Sequence, residues 1–156
     1  MRSKKPVQRK IKPDERYNSI EIAKFINYVM KDGKKQIAIE IVYKALDAFS
    51  KMLDKKDVLK IFLEAIENVK PKIEVRSRRV GGANLQVPVP VTKNRQFTLA
   101  CKWIIQAARD TRKKEAFWQV LSKELVNAYR KEGGAIKKRD EVHKIAEANR
   151  AFSQFA

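Results

Sequence analysis

Few residues in this chain are intrinsically reactive. Its only histidine, His143, precedes Glu147 by four positions, and its only cysteine is Cys101. A His and a Glu at that spacing share one helix face and more often pair at a surface than act as a general base. Two ligands cannot close a structural zinc site. Cys101 falls on an apolar helical stripe beside Trp103 and reads as a small buried hydrophobe. Being single, it excludes an internal disulfide framework and any cysteine-built zinc site. Gly33-Lys34-Lys35 is similar to the end of a phosphate-binding loop. However, position 28 is Tyr where that motif needs Gly, Lys35 replaces Ser or Thr, and no strand precedes it. The carboxylates are scattered among lysines at helix-surface spacings. The expectation is a protein that is not an enzyme, with no metal and no cofactor.

The chemistry that remains is binding. The chain has 36 Lys and Arg against 18 Asp and Glu in 156 residues, a net charge of +18. Such an imbalance speaks of polyanionic partners rather than of fold. The cations are clustered. Lys4, Lys5, Arg9, Lys10 and Lys12 crowd the first dozen residues, which carry no acid, and Pro6 and Pro13 break helix there. Lys34 and Lys35 follow Gly33; Arg76, Arg78 and Arg79 lie on a β-like segment; Arg112, Lys113 and Lys114 end a loop that starts at Arg109. Lys137, Lys138, Arg139, Lys144 and Arg150 line the last helical stretch. Arginine is prominent in the segment and the loop, where its planar fork can grip phosphate in two places. Several separated basic points suit an irregular folded nucleic acid; a single recognition helix would suit a duplex groove.

Lys72 to Val91, KIEVRSRRVGGANLQVPVPV, must position the arginines. Apolar and polar residues alternate on both sides of Gly81-Gly82, which predicts a hairpin. Ile73 and Val75 share one face of its first half, and Arg76 and Arg78 the other. Pro88 and Pro90 stand two apart, so their missing N–H groups fall on one side of the second strand. That side is closed to a further strand. An isolated two-stranded arm follows, marginal in water without a partner to order it. The glycines at its tip permit close backbone approach but provide no apolar wedge, which favours RNA over an architectural, β-arm DNA-binding protein, the alternative reading.

The remainder reads as helix. Stripes run through Ala23, Ile26, Val29 and Met30 after an Asn18/Glu21 capping box, and through Ile37, Ile41, Ala45, Ala48 and Phe49 between about Lys35 and Leu53. Asp57 caps a third helix, with Val58, Ile61, Phe62, Ala65, Ile66 and Val69, which Pro71 stops. Three more carry Phe97 to Ile105, then Phe117, Leu121, Leu125 and Ala128 up to Gly133-Gly134, then Val142, Ile145, Ala146, Asn149 and Phe152. The expected fold class is mainly α: a single RNA-binding domain over 1–156, of about six helices with a protruding two-stranded β-ribbon between helices three and four. Its parts are an extended basic arm (1–17), helices one to three (18–71), the ribbon (72–91) and helices four to six (92–156). No run approaches a membrane span, and MRSKKPVQRKIKP lacks the apolar stretch of a secretory signal. A reduced, cytoplasmic setting is expected.

Arg78-Arg79-Val80-Gly81-Gly82-Ala83-Asn84-Leu85-Gln86-Val87-Pro88 closely resembles the hairpin signature of the small-subunit ribosomal protein seven family. Phe25-Ile26, Gly33-Lys34-Lys35, Ile41-Val42 and Ala45 are similar in spacing to its other signature, and Ala148-Asn149-Arg150-Ala151-Phe152 to its C-terminal helix. Leu85 departs from the tyrosine of many relatives. The likeness spans essentially the whole chain and is of the bacterial or organellar type. It implies a constituent of the small ribosomal subunit that binds the 3′ major domain of ribosomal RNA, nucleates assembly of the head, and lies near the decoding region. The implied partners are small-subunit ribosomal RNA, exit-site transfer RNA, messenger RNA, and small-subunit proteins nine and eleven. Carried onto this chain, ribosomal RNA contacts fall on Lys4, Lys5, Arg9, Lys10, Lys12, Lys34, Lys35, Arg76, Arg78, Arg95, Arg112, Lys113 and Lys114. Arg79, Gly81, Gly82, Lys138, Arg139, Lys144 and Arg150 would face transfer and messenger RNA.

Overall fold

A computed structural model describes residues 11–155. The chain order is α1 (Ile20–Val29), α2 (Lys35–Leu53), α3 (Val58–Val69), β1 (Ile73–Val80), β2 (Ala83–Pro90), α4 (Lys93–Thr111), α5 (Phe117–Tyr129) and α6 (Gly133–Ala148), then a 3-10 helix, Arg150–Phe155. This is the mainly helical fold with one two-stranded ribbon that the sequence patterns predict. The arm residues Lys4, Lys5, Arg9 and Lys10 lie outside the described residues.

All six α-helices contribute to one apolar cluster. Helix α5 packs against α2, α3, α4 and α6, which explains why its buried positions, among them Val120, Leu121, Glu124, Leu125, Val126 and Ala128, run more than halfway round it. The stripes of α3 and α4 are as the sequence predicts. Elsewhere the buried face is displaced. In α2 the inward residues are Ala38, Val42, Ala45, Leu46 and Phe49, and Ile37 is 55% exposed. In α1, Ile22 and Phe25 are inward where Ala23 and Met30 are predicted. In α6, Ile145 is 49% exposed, and the regular helix ends at Ala148 rather than near Phe152. Each shift of about one residue reflects runs in which adjacent positions are both apolar, so periodicity alone leaves the phase open.

The helix ends follow local chemistry, with two corrections. Ser19, not Asn18, is the N-cap of α1, its hydroxyl accepting from the Ile22 N–H at 3.4 Å; Asn18 sits at φ 48°. Asp57 caps α3 as expected, accepting from the Lys60 N–H at 3.0 Å. Lys131, at φ 63°, makes the left-handed turn after α5, and Gly133-Gly134 opens α6 instead of closing α5. Gly133 is required there: its φ is +92°, and a Cβ would meet Asn127 Cβ and Glu124 Oε1 at 2.9 Å. The buried Glu124 carboxylate accepts from the Ala135 N–H at 2.9 Å, placing negative charge at the N-terminus of α6. Burial pushes that carboxyl up, against its hydrogen bonds.

The arm ends earlier than residue 17. Asp14 is buried and accepts from the N–H groups of Tyr17 (2.8 Å) and Ser19 (3.0 Å) and from the Tyr43 hydroxyl (3.2 Å). Arg16 grips Asp47 through two hydrogen bonds, at 3.0 and 2.7 Å. Residues 14–17 therefore belong to the folded body.

Candidate nucleic-acid interface

The ribbon is an antiparallel pair, and no third strand joins it among the described residues. Val80 pairs with Ala83 across Gly81 and Gly82, whose φ values of +56° and +90° are those of a two-residue type I′ turn. Pro88 and Pro90 oppose Val75 and Ile73. Alternation then places Ile73, Val75, Pro88 and Pro90 on one face and Glu74, Arg76, Arg78, Leu85, Val87 and Val89 on the other. The arginines thus share the face of Val87, which is fully buried, whereas Ile73 is 40% exposed. The sequence expectation had the packed side the other way round at the base.

Neither is the ribbon isolated at its root. Glu74 is buried and binds two arginines: Arg76 Nε donates to Oε1 at 2.7 Å, and Arg95 Nε of α4 donates to Oε2 at 3.2 Å. Burial alone would raise this carboxyl, but the two guanidinium groups outweigh it and hold it below the usual carboxylate range. On the other face the Lys72 N–H donates to His143 Nε2 of α6 at 3.1 Å. His143 is thus a neutral acceptor that ties the ribbon to the last helix, not a partner of Glu147. Burial, with help from nearby Arg139, lowers its pKa. Neither anchor is legible beforehand, because both join residues at least 21 positions apart.

The other cations sort by what they touch. Lys34 is exposed in the α1–α2 turn and Lys35 at the start of α2, and Arg112, Lys113 and Lys114 are exposed in the α4–α5 loop. Lys34 and Arg112 line one cavity with Lys31 and Arg109, so turn and loop form a single basic site. Arg95 and Arg112 bracket α4, roughly 25 Å apart at the helical rise. Helix α4 is therefore a spine with a basic site at each end. Arg78 and Arg79 are exposed along the ribbon, and Lys12, Lys138, Lys144 and Arg150 are exposed as well. Arg139 is the exception: half-buried, it donates to the Asn68 carbonyl of α3 and pairs with Asp140. Cys101 is fully buried and its thiol is pushed up by burial, in keeping with a packing role. Among the described residues no three His, Cys, Asp or Glu side chains come together as a metal site, and no helix is long and apolar enough to cross a membrane.

A family model described as ribosomal protein S7p/S5e matches residues 1–150. The chain belongs to this family. It is 50% identical over 155 residues to the small ribosomal subunit protein uS7 of Thermosipho africanus, covering 99% of each chain. It is likewise 50% identical over 148 residues to that of an Acidovorax strain, covering 95% of this chain and 94% of the relative. The protein of the same name from Borrelia hermsii is 47% identical over 154 residues.

Proposed function

We propose that this protein is a structural component of the small ribosomal subunit. It binds the 3′ major domain of small-subunit ribosomal RNA in the cytoplasm and nucleates assembly of the subunit head. The observation that carries this reading is the family match along nearly the entire chain, at about 50% identity to small-subunit proteins. The distribution of cations supports it, since basic sites at both ends of α4 suit several backbone segments of one folded RNA. In this reading the arm (Lys4, Lys5, Arg9, Lys10, Lys12), Lys34, Lys35, Arg76, Arg78, Arg95 and Arg112 to Lys114 hold ribosomal RNA. The ribbon tip, with Arg79, Gly81 and Gly82, faces exit-site transfer RNA and messenger together with Lys138, Lys144 and Arg150. Arg139 serves that surface by fixing α6 to α3. Small-subunit proteins nine and eleven are the neighbours.

Salt dependence tests the reading. With about six to eight phosphates neutralised, log K for the ribosomal RNA domain should fall against log salt with a slope of roughly −5 to −7. A slope near −1, or a preference for duplex DNA, would overturn it. Footprinting on isolated small-subunit ribosomal RNA should show protection confined to the 3′ major domain.

A further inference from the structure

The cavity between the α1–α2 turn and the α4–α5 loop has an apolar lining as well as a basic one. Met30, Ile37 and Phe117 lie in it, and Lys31, Lys34 and Arg112 stand around it. Ile37 is 55% exposed, the most exposed of the large aliphatic side chains among the described residues. No carboxylate is among the residues lining the site. Its volume is about 240 Å³, below the roughly 300–1,000 Å³ that encloses a drug-sized ligand. One flat, apolar-faced group attached to an anion matches both the size and the charge.

We propose that this cavity receives a single unpaired base of the bound RNA. The base lies on Ile37 and Phe117, and its flanking phosphates are held by Lys34 and Arg112. The proposal rests on the RNA-binding reading above and deepens it. Phosphate contacts alone position a protein without distinguishing one RNA segment from another. A base splayed from a loop or bulge and stacked on apolar or aromatic side chains supplies that discrimination. The fold supports the arrangement: α1 brings Met30 to the turn, α2 carries Ile37 in its first turn, and α5 begins with Phe117, so three helix ends meet at one point.

The test uses the full chain and a transcript of the 3′ domain of bacterial small-subunit ribosomal RNA. Ile37 is too exposed for its loss to disturb the core, so Ile37→Asn should keep wild-type helicity and unfolding. It should weaken binding roughly fivefold or more, the scale of one lost stacking contact, with the salt slope unchanged. Ile37→Tyr, which offers a ring to the same base, should bind at least as tightly as wild type. Lys34→Gln should instead lower the slope by about one. One base protected from chemical modification in the wild-type complex should regain reactivity with Ile37→Asn. If Ile37→Asn binds at full strength while the wild-type slope stays steep, the base pocket is wrong and the RNA-binding reading survives. A shallow wild-type slope would overturn both.

Discussion

His143 shows how one side chain can matter without catalysing anything. It accepts the Lys72 N–H at the root of the ribbon, which requires an unprotonated Nε2. Its folded pKa is lowered from the usual value of about 6.5. The unfolded chain therefore binds the proton more readily. Its contribution is fully present above that value and is lost as pH falls through the window below it. Unfolding measured at pH 7.5 and 5.5 should show a loss in the wild type that shrinks in His143→Gln. Losing one neutral hydrogen bond sets the scale, about 0.5–1.5 kcal/mol. Comparing the two proteins removes the opposing contribution of Glu124, whose raised carboxyl pKa favours folding as pH falls. Equal pH dependence in both proteins would show that the Lys72 contact carries no stability.

For the ribbon as an element, root and tip should behave differently. Its root is held by Glu74 and His143, whereas Gly81 and Gly82 at the tip have no side chain within reach of a Cβ. In the free protein, tip amides should exchange faster than those of Glu74 to Arg76. The arginines separate in the same way. Arg78→Ala, near the tip, should leave unfolding nearly unchanged and weaken RNA binding. Arg76→Ala should do more, because it strips one partner from the buried Glu74. Its guanidinium is largely exposed, so the cost is modest, about 1 kcal/mol, and should fall in a Glu74→Gln background. A double-mutant cycle on unfolding free energy measures this directly; additivity would mean that Glu74 and Arg76 do not couple.

At the scale of the molecule, stability and binding reside in different layers. The apolar cluster runs through all six helices, while the exposed cations ride on turns, loops, the ribbon and the outer faces of helices, as Lys138 and Lys144 do on α6. Ile104→Ala opens a cavity at a fully buried position and should cost about 2–5 kcal/mol of unfolding free energy. At a temperature where that variant is still folded, its RNA affinity should match wild type. A parallel loss of affinity would mean that the basic sites at the ends of α4 are coupled to its packing.

Composition and pattern alone determined the partner class, the six helices, the glycine turn and the two-strand limit of the ribbon. These are local quantities: charge counts, period, φ preferences, and prolines that remove donors from one strand edge. The family signatures were equally legible, since each lies in one stretch of sequence with fixed spacing. Only the tertiary structure decided which face of each element turns inward, because adjacent apolar residues in α1, α2 and α6 leave the helix phase open. It alone brought Lys34 to Arg112, Glu74 to Arg95 and Lys72 to His143. Such pairings depend on how the helices cross around α5, a packing solution that no single segment encodes.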